Sequence, residues 1–171
     1  SGTWGIFGFD VTSGDYNGDG NGDVIVSDPF WDDPQTNDDC GILVCYFSNS
    51  NPISGQTSEI CIEGLNDDGL CGYSIDTGNF DGDDYDDLIV GEPGNTTYYG
   101  TAHIFLGCSS PGSWGSLDSS DWSVDGISSD GNWGVCVRSI KDDDDDDDYD
   151  DFCISHYGGP GQQIPLSRNI S

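Results

Sequence analysis

A nine-residue stretch rich in carboxylates occurs three times in this chain, with a spacing suited to holding a cation. Its clearest copy reads Asn79-Phe80-Asp81-Gly82-Asp83-Asp84-Tyr85-Asp86-Asp87. The first copy is Asp15-Tyr16-Asn17-Gly18-Asp19-Gly20-Asn21-Gly22-Asp23, and the third is Asp143-Asp144-Asp145-Asp146-Asp147-Asp148-Tyr149-Asp150-Asp151. Side-chain oxygens fall at positions 1, 3, 5 and 9 of each, and the starts at 15, 79 and 143 are 64 residues apart both times. A loop with oxygen side chains at alternate positions can fold back round one ion. Hard cations such as Ca²⁺ take about six to eight oxygens at about 2.3–2.6 Å. Four side chains, the backbone carbonyl at position 7 and a water would supply them. Gly18, Gly20 and Gly82 permit the tight turns such a loop demands. One copy alone would read equally well as a solvated acidic turn; three in register favour the metal reading.

The segments that must hold these loops have the pattern of strands. Phe7, Phe9 and Val11 alternate as a half-buried strand does. Val24-Ile25-Val26 follows the first loop and stops before Pro29, which cannot donate to a ladder. Residues 41–47 and 58–64 make a third and a fourth strand. The order restarts with 71–75, 88–94, 100–107 and the weaker 122–126, and again with 133–137 and 152–155. Relative to the other units, two extra residues lie between Gly134 and the third loop. No stretch carries helical periodicity over a useful length. A 64-residue unit of four short antiparallel strands, its loop between the first and second, is one blade of a β-propeller. The fold expected is all-β: propeller-like blades of four antiparallel strands in one domain. The units run approximately over 1–65, 66–128 and 129–171, two complete and the third partial.

These residues resemble the FG-GAP repeat, as found in integrin α-subunit propellers. Phe7-Gly8 matches the FG element, and Cys71-Gly72 and Trp133-Gly134 are degenerate forms of it. Ser27-Asp28-Pro29 and Gly91-Glu92-Pro93 stand where that family has Gly-Ala-Pro; Ser155-His156-Tyr157 departs from it. The resemblance implies calcium held in strand–loop–strand hairpins on one face of a propeller, with extracellular adhesion or recognition roles. The side-chain ligands it implies are Asp15, Asn17, Asp19 and Asp23; Asn79, Asp81, Asp83 and Asp87; and Asp143, Asp145, Asp147 and Asp151. The carbonyls of Asn21, Tyr85 and Tyr149 would complete them, for about three Ca²⁺ in all. An EF-hand fits less well, since apolar strand residues follow position 9 directly where an EF-hand carries a Glu at position 12 and flanking helices.

Composition narrows the setting. The chain has 171 residues, 33% of them hydrophobic, with 26 Gly, a balance that suits a turn-rich β protein. Three basic residues face 33 acidic ones, for a formal charge of −30. Such a chain repels nucleic acid and anionic membrane surfaces. Three Ca²⁺ would return six charges and leave about −24, so folding should depend on divalent ions. No run approaches the ~20 apolar residues of a membrane span. The absence of Met and of a signal peptide suggests a processed product or an excised piece. Seven Cys without CxxC pairs read as disulfides of an oxidising compartment, with at least one thiol left over. Cys45 with Cys61, and Cys136 with Cys153, sit on neighbouring strands within possible reach; the connectivity stays open. Asn95 and Asn169 head glycosylation sequons. Together these place the protein outside the cell or on its surface.

Nothing points to catalysis. His103 alternates with Thr101 and Phe105 on a strand, as a packed or surface residue does, and His156 has no nucleophile at a defined spacing. The Asp142–Asp148 run, flanked by apolar segments, reads as an ordered loop rather than a tail. The expectation is a non-enzymatic, calcium-binding adhesion or structural module. Its open strand edges would pair head-to-tail with further copies into a filament or a larger propeller. Two alternatives stay open: a glycan- or protein-binding module, with Trp4, Trp31, Trp114, Trp122 or Trp133 stacking on sugar, and an accessory domain of a secreted hydrolase.

Overall fold

The structure, a computed structural model, describes residues 5–34, 39–48, 58–94, 99–112, 114–126, 132–141 and 149–156. It is all-β. The first sheet orders β1 (Val11–Gly14), β2 (Asp23–Asp28), β3 (Ile42–Phe47) and β4 (Ser58–Glu63) as an antiparallel meander. The second repeats it with β5 (Ser74–Gly78), β6 (Asp87–Glu92), β7 (Thr101–Phe105) and β8 (Trp122–Asp125). A third sheet pairs β9 (Cys136–Ile140) with β10 (Asp151–Ser155). A 3-10 turn at Leu117–Ser119 leads into β8. No helix among the described residues is long and apolar enough to cross a membrane.

The repeat holds residue by residue in the first hairpins. Val11 pairs Val26 and Gly14 pairs Asp23; 64 positions on, Ile75 pairs Val90 and Gly78 pairs Asp87. In the third sheet Val137 pairs Ile154 and Ile140 pairs Asp151. That register puts the two extra residues of the third unit after Ile140, in the connection rather than in the strand.

The first strand of each unit starts later than the alternation of Phe7, Phe9 and Val11 suggests. Gly8, Gly72 and Gly134 lie at φ of 91°, 81° and 80°, in the left-handed region that favours glycine. Each turns its N–H onto the second strand: Gly8 donates to the Ser27 carbonyl, Gly72 to Gly91 and Gly134 to Ser155, at 2.9, 3.0 and 3.1 Å. The residues before β1, β5 and β9 are therefore a hydrogen-bonded turn, and extended pairing begins only after it. Ser155 fills the same place as Ser27 and Gly91, although the residues after it depart from the family pattern.

The core lies between sheets, not within them. One cluster joins Tyr16, Ile25, Leu43 and Ile62 of the first sheet to Ile75, Leu88, Val90 and Phe105 of the second. The other joins Phe80, Ile89 and Ile104 of the second to Val137 and Phe152 of the third. Leu88 and Ile89 are adjacent on β6 and point to opposite faces, so each serves a different interface. All six residues of β6 are buried. Trp114 sits at the centre of the first interface, its ring 5.7 Å from Tyr16, 5.7 Å from Phe105 and 6.4 Å from Phe47. Trp114 and Trp133 are both buried, so neither offers a face to sugar. Trp133 stacks on His156 instead, ring centroids 5.8 Å apart. Trp4 lies outside the described residues.

Side chains stitch the sheets together where strands meet. Asp10 accepts from the Ile75 N–H at 3.0 Å. Ser74, at the equivalent place, accepts from Val137 N–H at 3.2 Å, and Asp76 from Ser139 N–H at 2.9 Å.

The disulfides expected between neighbouring strands are absent. Cys45 pairs Ile60 while Cys61 pairs Val44, so the two thiols lie on opposite faces of the sheet. Cys136 pairs Ser155 and Cys153 pairs Arg138, which offsets that pair along the ladder, and they are not bonded. Cys45 and Cys71 are fully buried, and burial raises both thiol pKa values, Cys45 to about 12. Thiols held protonated in this way are poor nucleophiles.

Candidate metal centre

The second acidic loop closes the β5–β6 hairpin. Its position-9 residue, Asp87, opens β6 and is fully buried. Asp87 Oδ2 accepts from the Phe80 N–H at 2.7 Å and Oδ1 from the Gly107 N–H at 2.8 Å, tying the loop to the chain just beyond β7. Asp81 and Asp83 converge on it: oxygens of the three carboxylates lie within 4.8 Å of one another. Burial is the main cause of a pKa near 7 for Asp87, with Asp81 and Asp83 adding like-charge repulsion. Asp81 is also raised, first by its own burial. Three carboxylates gathered this closely are a poor arrangement without a cation and a good one with it.

The rest of that loop is organised by its own backbone. Asn79 Oδ1 accepts from Gly82 N–H at 2.7 Å, and Asn79 Nδ2 donates to the Asp83 carbonyl at 2.6 Å. Asp81 Oδ1 accepts from Asp83 N–H at 3.2 Å, and Asp83 Oδ1 from Tyr85 N–H at 2.8 Å. The carboxylates at positions 3, 5 and 9 are thus brought to one small volume, with Asn79 at position 1 bonded into the same turn, and an oxygen-rich donor set of this kind fits a hard divalent ion.

The first loop has the same frame with a different interior. Asp23 Oδ2 accepts from Tyr16 N–H at 3.2 Å and Oδ1 from Ser48 N–H at 2.8 Å, the counterpart of Asp87. Burial raises it to about 6, with Asp19 and Asp15 as smaller like-charge contributors. Asp15 and Asn17 both accept from the Asp19 N–H, at 3.0 and 2.9 Å, and Asp15 Oδ2 accepts from Gly20 N–H at 2.9 Å. Asn21 stands where Tyr85 stands in the second loop. Its side-chain amide donates to Asp19 Oδ1 at 2.8 Å, in addition to its backbone N–H at 2.8 Å. Among the described residues a three-carboxylate convergence within 4.8 Å is confined to the second loop. Of the third loop, Tyr149 and Asp151 are described; Asp143, Asp145 and Asp147, with the rest of the 142–148 run, lie outside the described residues, as do Asn95 and Asn169.

Two positions that the ligand pattern passes over join one loop to the next. Asp86, at position 8, takes both backbone polar groups of Asp15: its Oδ2 accepts from Asp15 N–H at 2.7 Å and its N–H donates to the Asp15 carbonyl at 3.1 Å. Asp150, at position 8 of the third loop, does the same to Asn79, at 2.9 and 2.7 Å. The position-7 rings follow suit. A Cβ at Gly18 would run into the Tyr85 ring, and one at Gly82 into the Tyr149 ring. The sequence does carry the signal: Tyr-Asp is shared by the second and third copies and replaced by Asn21-Gly22 in the first.

A polar cavity of about 340 Å³ opens beside β7. Glu92 and His103, both buried, approach to 3.5 Å there, and Asn66 donates to Glu92 at 3.0 Å. His103 is therefore a packed residue.

Comparison with known proteins agrees with this geometry. Residues 72–105 match the FG-GAP repeat. A phosphatidylinositol-glycan-specific phospholipase D of Dictyostelium discoideum is 34% identical over 118 residues, covering 59% of this chain and 12% of that protein. The matched FG-GAP segment runs from Gly72, whose N–H closes onto Gly91, through the Asp81–Asp83–Asp87 convergence to the end of β7. Residues 72–105 are an FG-GAP repeat, and the chain is a carrier of that repeat, folded as propeller-like blades.

Proposed function

We propose that this chain is a calcium-stabilised, non-catalytic propeller segment of an extracellular or cell-surface protein, serving adhesion or structure. The observation that carries this reading is the convergence of Asp81, Asp83 and Asp87 at the mouth of the β5–β6 hairpin. A cation there ties two strands, offsets a formal charge of −30, and has no activated water to deliver. Asp15, Asn17, Asp19 and Asp23 form the second such loop, with the Asn21 carbonyl, and the third unit supplies another with Tyr149 and Asp151. The seat for a further blade is the face of the first sheet turned away from the second, where Val11 is 60% and Val24 39% exposed. A blade from a longer polypeptide would extend the propeller; one from a second copy would give head-to-tail assembly.

Calorimetric titration with Ca²⁺, together with melting in calcium and in chelator, tests the reading. Binding that is weakened by Asp83→Asn, and a melting temperature that drops on chelation, are expected. An unchanged melting temperature with no binding heat overturns it.

The resemblance to a phospholipase D favours a second role for the same architecture, as an accessory module of a secreted hydrolase. The chain spans 12% of that relative, so the catalytic part would lie elsewhere in a longer polypeptide. Hydrolase activity in the native full-length polypeptide separates the two: its presence supports the accessory module, and its absence favours adhesion or structure.

A further inference from the structure

We propose that the cation loops of neighbouring blades are energetically coupled, and that the position-8 aspartates Asp86 and Asp150 are the positioning residues that couple them. The inference rests on the calcium reading above and deepens it. Asp15 and Asn79 are position-1 residues, and each must present its side-chain oxygen from a fixed backbone. The side chain is engaged within its own loop, by the Asp19 and Gly20 N–H groups for Asp15 and by the Gly82 N–H for Asn79. The backbone N–H and carbonyl are both held by the position-8 aspartate of the following blade, through one carboxylate oxygen and one backbone N–H. The arrangement recurs at two interfaces with the same atoms, 71 residues apart in sequence each time.

Asp86 is covalently next to Asp87, the buried carboxylate that anchors the second loop, and Asp150 is next to Asp151, which opens β10. A cation that orders the later loop therefore fixes the residue that orients the first ligand of the earlier one. Tyr85 adds to the grip by covering Gly18, and Tyr149 by covering Gly82. The contact is one-directional, but the free-energy coupling it produces is reciprocal. Asp150 has a further partner, Lys141 Nζ at 3.1 Å.

The test follows loop amides of the full chain one by one by NMR during a calcium titration. Asp19, Gly20 and Asn21 report on the first loop, and Gly82, Asp83 and Tyr85 on the second. In Asp86→Ala the first loop's midpoint should rise roughly 10-fold or more, the range typical when a residue that orients a metal ligand is removed, although every first-loop ligand is intact. Asp86→Asn keeps an oxygen able to accept from Asp15 N–H and should recover most of that shift. Equal shifts in the two variants would mean that charge alone acts, and an unmoved first-loop midpoint in Asp86→Ala would mean no coupling; either overturns the proposal. Asp150→Ala, read at the second loop, repeats the test at the other interface and serves if Asp86→Ala does not fold. No calcium-dependent shift in the unaltered protein would instead overturn the calcium reading beneath it.

Discussion

The first and second units are built from the same strands in the same register, yet β1 has no buried residue and β2 keeps an exposed Val24, while β5 has no exposed residue and β6 is buried throughout. Val11 and Ile75 occupy equivalent places opposite Val26 and Val90, and are 60% and 2% exposed. Val24 and Leu88 differ in the same sense, at 39% and 0%. Nothing inside either sheet accounts for this. Among the described residues the second unit has a neighbour on each face and the first has one on a single face, so a blade of this kind acquires its core from the blades beside it. The loops tell the same story. The second and third units bring a Tyr-Asp pair to clamp the loop before them, and the first offers Asn21-Gly22, with no ring and no carboxylate to extend. The first unit therefore exposes an apolar strand face without the loop device that the other two use to engage a predecessor.

The comparison is tested most severely by truncating the equivalent residues. Ile75→Ala should cost about 2–5 kcal/mol, as deletion of a fully buried Ile does. Val11→Ala should stay within about 0.5 kcal/mol, as exposed substitutions do. Urea unfolding in calcium measures both. A large loss for Val11→Ala that grows with protein concentration would show that another copy covers the first unit's open face.

The convergence in the second loop was legible in the sequence because its logic is local: carboxylates at alternate positions in a short segment declare a shared target whatever the rest of the chain does. The four-strand rhythm was legible for a similar reason, since turn residues and short apolar runs recur with the 64-residue period. The strand starts were not. Phe7, Phe9 and Val11 alternate as a strand would, and only the left-handed backbone at Gly8, with its N–H on Ser27, converts the first two into a turn. The cysteine pairs misled because disulfide reach depends on register, and a shift of one residue sends Cys61 to the face opposite Cys45. Asp86 and Asp150 were hidden among other acids. Their role depends on which loop lies against them, and spacing within a single loop cannot reveal that.

A sharper contrast between the loops comes from Asp87→Asn and Asp23→Asn. Each replaces a buried carboxylate that accepts two backbone N–H groups with an amide that can accept from one of them. In calcium, both should destabilise by about 1–3 kcal/mol, the range for a buried donor left unsatisfied. Asp87→Asn should be the worse of the two, because it also breaks the convergence with Asp81 and Asp83. In chelator at pH 8 the sign should change for Asp87→Asn, since the amide removes a charge that burial and two neighbours disfavour. If Asp87→Asn lost equal stability with and without calcium, the second loop would be a hydrogen-bonded turn and not a metal centre.

The finest distinction lies in the pH dependence of the calcium-free protein. Asp87 is raised to about 7 and Asp23 to about 6, both first by burial. A carboxyl whose folded pKa exceeds its unfolded value contributes stability through its protonated form. That contribution is fully present below the unfolded value, about 4, and is lost as pH rises through the folded value. In chelator Tm should therefore fall between about pH 4 and pH 7, the opposite of the usual dependence for an acid held in a salt bridge. The two loops should divide the fall. Asp23→Asn should flatten it up to about pH 6, and Asp87→Asn should flatten the part that continues to about pH 7. One pH unit corresponds to about 1.4 kcal/mol, so the difference between the two variants is small but resolvable by melting across a pH series. Saturating calcium should abolish the fall in both loops, because the ion binds the ionised carboxylates and releases their protons. A fall of the same size in calcium would mean that the acids titrate without a cation beside them, and the two loops would then differ only in burial.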